Sequence, residues 1–272
     1  MQHRKITFVG AGNMSRSIIS GMVKSGYPAE LITASNPSMP KLEALQHDFA
    51  IQITQDNLQA VANAEVVVLA VKPQLMAQVG EQLQQTNLDG KLFISIAAGL
   101  PVSRLQAMLG GQYPLVRTMP NTPSALGLGM TGLYANSQVN APDRNFAGDL
   151  LGQVGKTAWV EKESMLDAVT AAAGSSPAYF FLFLEAMQDT AMQMGFDKDT
   201  ARLLVEQAML GAAHMVCHNS DLELSTLRAQ VTSKGGTTAA AIEQFEQQGL
   251  RELVNNAMQA AVNRAGEMSK VF

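Results

Sequence analysis

The hexapeptide GAGNMS, Gly10 to Ser15, stands directly behind a β-type run, KITFVG (Lys5–Gly10), and opens a helical run, Asn13–Ser25. Few folds turn a strand into a helix through so short a glycine-rich bend. In a G-x-G-x-x-G/A turn the first glycine permits the bend and the second lets a ligand approach the backbone. The third small residue lets the helix lie close to the strand. Here these are Gly10, Gly12 and Ser15, with Asn13 and Met14 between the last two. The helix N-terminus then offers unpaired N–H groups and the positive end of its dipole, which suits a pyrophosphate. The alternative is a turn with a purely structural role.

The first half keeps this rhythm. LITAS (Leu31–Ser35), IQIT (Ile51–Thr54), EVVVLAV (Glu65–Val71), LFISIAAG (Leu92–Gly99) and YPLVRTMP (Tyr113–Pro120) read as strands with helices between. EVVVLAV is almost wholly apolar, as expected of a strand covered on both faces. Alternating strands and helices predict a parallel, doubly wound sheet of the Rossmann type.

The end of the second strand bears on the cofactor. An acid there would bond the ribose of NAD and repel the extra phosphate of NADP. ASNPS (Ala34–Ser38) has no acid. Ser35 and Asn36 can donate to a phosphate and Lys41 is within reach along the chain, so NADPH is expected, with NADH left open. The alternative is that Asn36-Pro37 merely ends the strand. Two further loops follow strand ends, where open α/β sheets bind ligands. AVKPQ contributes Ala70, Val71, Lys72 and Pro73. SIAAGL contributes Ala97, Ala98 and Gly99, small enough to lie against a flat nicotinamide ring.

After about Arg144 one short strand remains, TAWV (Thr157–Val160), and the rest is helical. A boundary at residue 160 is expected, with a nucleotide-binding domain at 1–160 and an all-helical substrate and dimerisation domain at 161–272. Ser164 and Asp167, three apart, suggest a capping box. The helix from Ser176-Pro177, AYFFLFLEAMQDTAMQMG, is apolar nearly all round at its start, so it must be buried on every side. A second subunit is predicted to pack on it. Many of the sixteen methionines lie in this half and suit core or interface packing. EKE (Glu161–Glu163) reads as a solvated loop. His214 and His218 flank Cys217 at helical spacing, but no third ligand stands nearby in sequence and no metal site is expected.

Composition narrows the partners. A net charge of −4 gives no electrostatic case for nucleic acid or an anionic membrane. No run of about 18 uncharged apolar residues suggests a membrane span. The start of the chain does not read as a signal peptide, and Cys217, the one cysteine, supports no disulfide framework. A cytoplasmic protein is the default.

VGAGNM, AVKP, SIAAG, RTMPNTP (Arg117–Pro123), GSSPAY (Gly174–Tyr179) and TSKGGTT (Thr232–Thr238) occur in an order and spacing similar to those of the pyrroline-5-carboxylate reductases. The resemblance covers nearly the whole chain. It implies a Rossmann domain followed by an interlocking helical dimer, with dimers often assembled into decamers. It also implies reduction of 1-pyrroline-5-carboxylate to L-proline with a nicotinamide cofactor, to whose contacts it adds Asn57. Lys234 stands where some members have proline, Ser176 where many have glycine, and Glu223-Leu224 where His-Pro is frequent.

SKGGTT has its own logic. A small carboxylate needs several N–H donors aimed one way, and a helix N-terminus supplies them. Gly235 and Gly236 let the backbone approach, while Thr237 and Thr238 add hydroxyls and can cap the helix. The alternative is an ordinary glycine turn. With the resemblance, Ser233, Gly235, Gly236, Thr237 and Thr238 become the substrate contacts, and Thr238 is placed to hydrogen-bond the ring nitrogen. Asp221 falls where some members carry an acid near that nitrogen. Two other functions stand against this reading. A β-hydroxyacid dehydrogenase would need a catalytic lysine in the helical half, but Lys162, Lys198, Lys234 and Lys270 do not sit mid-helix facing a glycine loop. A nucleotide sensor without catalysis would have no use for SKGGTT.

Overall fold

The computed structural model describes residues 3–271. The elements, in chain order, are β1 (Ile6–Val9), α1 (Asn13–Lys24), β2 (Ile32–Ser35), α2 (Met39–Phe49), β3 (Gln52–Thr54), α3 (Asn57–Ala62), β4 (Val66–Leu69), α4 (Met76–Leu83), β5 (Leu92–Ser95) and α5 (Val102–Leu109). There follow β6 (Leu115–Met119), β7 (Gly129–Ala135), α6 (Ala141–Gly152), β8 (Gly155–Trp159), α7 (Met165–Val169), α8 (Ser176–Gln193), α9 (Lys198–His218), α10 (Leu224–Gln230), α11 (Thr237–Gln247) and α12 (Leu250–Val271).

The strands form one eight-stranded sheet in the order β3-β2-β1-β4-β5-β6-β7-β8. Side chains alternate across it, and both sides are buried. Ile6, Phe8, Val66 and Val68 face the layer that includes Ile18, Leu42 and Leu150 of α1, α2 and α6. Val9, Val67, Leu69 and Phe93 face the layer of Met76, Leu83 and Leu105 from α4 and α5. Burial on both faces explains why these strands read as unbroken apolar runs. The buried Lys91 donates to the carbonyls of Ala62 and Ala64 behind α3, and its burial pushes the ammonium pKa down.

Three features depart from the sequence reading. The sheet is not wholly parallel: β7 runs antiparallel to β6, with Met119 opposite Gly132. The segment Pro120–Leu128 is too short for a helical crossover, which needs a dozen or more residues, so the chain must turn straight back. Second, α7 has no capping box. Ser164 is helical and its side chain caps nothing, while Asp167 lies 4.0 Å from the Arg117 guanidinium. The EKE segment is not simply solvated either. Glu163 accepts from Arg117 at 2.9 Å and from the Val102 N–H at 2.7 Å, tying the segment after β8 to β6 and to the first turn of α5.

Packing divides the chain into two units, drawn differently from a cut at residue 160. The first runs to Pro177 and takes in the end of α12 from Ala261 onward; the second is Ala178–Ala260. Between α7 and α8, inside the first unit, Thr170–Gly174 forms a π-turn closed by the Ser175 N–H donating to Thr170 O at 2.8 Å. The second unit is helical and buries little by itself. Phe181, Leu182 and Leu203 are each more than three-fifths exposed.

Candidate functional site

The strand order reverses at β1, which lies between β2 and β4, and the site opens at the carboxyl ends of these strands. Val9 O accepts from the Ala70 N–H, and the Gly10 N–H donates to Ser35 O, so the ends of β1, β2 and β4 are bonded together. Gly10 has φ +114, and a Cβ there would sit 2.6 Å from Ala70 O. Only glycine fits that position. Ser15 is buried and its hydroxyl donates to Gly10 O at 2.7 Å, closing the turn from inside. Gly12 is the N-cap of α1 and makes no side-chain cap, and a Cβ on it would meet nothing within 4 Å. The N-terminal amides of α1 therefore face open space, with Asn13 and Met14 as its first two residues.

A cavity of about 620 Å³ lies over this turn. Gly10, Gly12, Ser35, Asn36, Asn57, Ala70, Val71 and Lys72 border it, as do Ser38, Lys41 and Gln55 at the far end. No carboxylate borders it, and two lysines do. An uncapped helix end, a backbone cradle and two cations fit the pyrophosphate and extra phosphate of NADPH. Ser35 sits differently from its neighbours in this lining. It borders the cavity, but its side chain is buried and its hydroxyl donates to Phe8 O at 3.5 Å, turned toward β1. Asn36 instead accepts from the Ala11 N–H at 3.4 Å, and the Asn57 amide donates to Gln82 at 3.0 Å.

Other candidates lie outside this cavity. Pro73 opens the short 3-10 turn behind Lys72. Ala97, Ala98 and Gly99 belong to the next loop, after β5. There the Ala97 N–H donates to the Ser95 hydroxyl, and Gly99, at φ +75, faces Met268 of α12. Sequence reading missed Gln55, Gln78 and Gln82. Gln55 just follows β3, so its place at the carboxyl edge was available from strand order; the two α4 glutamines carry no local signal.

In the second unit Ser233, Gly235, Gly236, Thr237 and Thr238 form the lead into α11. Gly235 takes φ +74, and the Gly236 N–H donates to Ser233 O at 3.0 Å. The N-cap is Gly236, so Thr237 is the first helical residue and neither threonine caps the helix. No acid occupies the first turn. By contrast, Asp56, Asn140 and Asp197 close α3, α6 and α9 with side-chain caps. Helices α1 and α11 thus share a glycine N-cap with no side chain over their amides. Thr238 and Ser233 are exposed, and Asp221 lies in the exposed turn before α10.

Comparison with known proteins agrees along the whole chain. Residues 163–268 match the family described as pyrroline-5-carboxylate reductase dimerisation, and residues 5–99 match the family described as NADP oxidoreductase coenzyme F420-dependent. A pyrroline-5-carboxylate reductase of Vibrio alginolyticus is 58% identical over 272 residues, all of both chains. A solved pyrroline-5-carboxylate reductase of Coxiella burnetii superposes with a TM-score of 0.94 at 43% identity, over 98% of this chain and 99% of that one. The Plasmodium falciparum pyrroline carboxylate reductase, solved with NADP bound, gives 0.86 at 28% identity, over 99% of each chain.

Proposed function

The chain belongs to the pyrroline-5-carboxylate reductase family, and from that premise we propose that it reduces the cyclic imine 1-pyrroline-5-carboxylate to L-proline with NADPH, the last step of proline biosynthesis. The observation that carries the reading is the pair of uncapped, glycine-led helix ends in a chain so similar to these reductases over its full length. The first suits pyrophosphate and the second suits the substrate carboxylate.

NADPH supplies a hydride to the carbon of the C=N bond, and a proton goes to the ring nitrogen. The protein's part is to bind and orient. The amides of Thr237 and Thr238 at the start of α11 hold the carboxylate. The Thr238 hydroxyl hydrogen-bonds the ring nitrogen. A threonine hydroxyl is a poor acid, so it orients the imine or relays a proton from water, and positioning carries most of the rate. The direct assay is imine-dependent oxidation of NADPH, with proline-dependent reduction of NADP at high pH as its reverse. Absence of both in the folded protein would remove the assignment.

Thr238→Ala is expected to lower turnover while NADPH affinity stays put. A hydrogen bond to a charged partner contributes about 1.5–3 kcal/mol, or roughly tenfold to a hundredfold in rate. Full turnover in this variant would show that Thr238 does not orient the imine. Gly236→Val should instead weaken imine and proline binding together, because a branched side chain at the N-cap would crowd the amides that receive the carboxylate, whereas the nearby Ser233 hydroxyl can rotate aside.

The active form is a homodimer of cytoplasmic enzyme, built by the helical half. Its support is the match to a dimerisation family and the exposed Phe180–Phe183 run of α8, far more apolar than a monomer's surface tolerates. Light scattering at micromolar concentration should return at least the dimer mass, and a decamer is the higher assembly to look for in the same measurement. Phe181→Asp should lower that mass, or the soluble yield, before it lowers NADPH affinity. A stable monomer in the unmodified protein would end the idea.

A further inference from the structure

Two sequence motifs remain without a role, RTMPNTP and GSSPAY, and the structure joins them through one side chain. Asn121 follows the carboxyl end of β6 and is only 8% exposed. Its Oδ1 accepts from the Met130 N–H of β7 at 2.8 Å, and its Nδ2 donates to Ala173 O in the π-turn at 3.0 Å. The second bond has a clear cause. In a regular helix Ala173 O would accept from the N–H of residue 177, and residue 177 is proline, which has none. The Ser176 hydroxyl, at 3.2 Å, and Asn121 supply the missing donors. The same turn brings Gly174 under Met119: a Cβ on Gly174 would lie 2.8 Å from the Met119 Cε.

The other end of this arrangement reaches the Ala97–Gly99 loop. Thr118 is buried and its hydroxyl donates to Ser95 O at 3.0 Å, while the Ser95 hydroxyl accepts from the Ala97 N–H at 3.3 Å. The exit of β6 and the loop after β5 are thus bonded side by side, and Asn121 holds that exit from beyond. We propose that Asn121 is a positioning residue for hydride transfer: it fixes the Met119–Pro120 exit of β6, and through it the Ala97–Gly99 loop against which the nicotinamide lies. This role rests on the reductase reading above.

The test is Asn121→Asp, which has nearly the same shape and keeps an acceptor for the Met130 N–H but turns a carboxylate oxygen toward Ala173 O. The measurements are NADPH Kd by fluorescence, the number of active sites by burst titration, and the single-turnover rate of imine reduction per active site. A displacement of about an ångström can cost on the order of a hundredfold in rate. The expected result is a single-turnover rate roughly tenfold to a hundredfold lower, with NADPH Kd changed by less than about threefold, under 1 kcal/mol. A lower melting temperature with an unchanged rate per active site would make Asn121 merely structural and overturn the proposal. If the aspartate variant does not fold, Asn121→Ser is measured in the same way and judged by the same two results. An unmodified protein inactive on the imine would overturn the reductase reading and this role together, whereas an active parent with an equally active variant would overturn this role alone.

Discussion

Gly10→Ala is expected to abolish measurable NADPH binding and to destabilise the fold. The methyl group would stand 2.6 Å from Ala70 O and 2.7 Å from its carbonyl carbon, and both belong to the backbone leaving β4. Nothing there can rotate away. The residue would also be held at φ +114, a conformation that costs an L-amino acid about 1–3 kcal/mol, and overpacking adds about 1–3 more. Gly12→Ala should fail differently. Its added methyl meets no protein atom, so stability should change by no more than about 1 kcal/mol, the usual scale of an N-cap exchange. The methyl would instead project into the space over α1 and displace the pyrophosphate from the helix amides. Losing one such charge-assisted bond raises Kd roughly tenfold to a hundredfold. Urea unfolding and NADPH titration on both variants separate the two effects. A Gly10→Ala protein of native stability and affinity would contradict the geometry described for the turn.

Arg117→Leu should be the most destabilising change away from the cofactor. Arg117 is buried in the middle of β6 with Glu163 at 2.9 Å and Asp167 at 4.0 Å. Breaking a buried pair by removing one partner costs about 3–5 kcal/mol, because the other charge stays behind unpaired. Glu163 keeps 27% of its side-chain surface exposed and still accepts from the Val102 N–H, so about 2–4 kcal/mol is expected here. Glu163→Gln keeps an acceptor for that N–H and should cost less. A full loss in Arg117→Leu beside no loss in Glu163→Gln would show that the charge of Glu163 is unimportant and that only Arg117 packing matters.

Strands whose two faces are both covered announce themselves, and this made much of the fold legible. VVVL of β4 and LFIS of β5 could hardly be anything else. β7 was not legible. Its sequence, GMTGLYA, begins with glycine and carries a second one, both poor strand formers. Each glycine answers a neighbour that no local pattern reveals. A Cβ on Gly129 would meet the Ser124 hydroxyl, and one on Gly132 would meet Val169. The glycine turns before α1 and α11 were readable because their chemistry is local: a bend, a small residue, a helix start. The direction of the Ser35 side chain is not legible, because the turn of a side chain at a strand end depends on register, and here the hydroxyl falls inward against Phe8. Glu163 reads as a solvated charge in sequence because its partners, Arg117 and Val102, lie far away along the chain. Asn121 was visible only as part of a motif, and its work depends on a proline more than fifty residues later.

The end of α12, from Ala261 onward, packs with the first unit, and its Met268 lies against Gly99. On the ribosome this has a temporal meaning. All the strands have left the exit tunnel long before those last helical turns are made. Ala178–Ala260 must be translated in between, several seconds of synthesis at roughly 5–20 residues per second. The nucleotide half therefore waits, with the loop after β5 still uncovered, until Ala261 and the residues after it have been made. A premature stop late in α12 would leave the second unit whole and deprive the first-made half of its final piece.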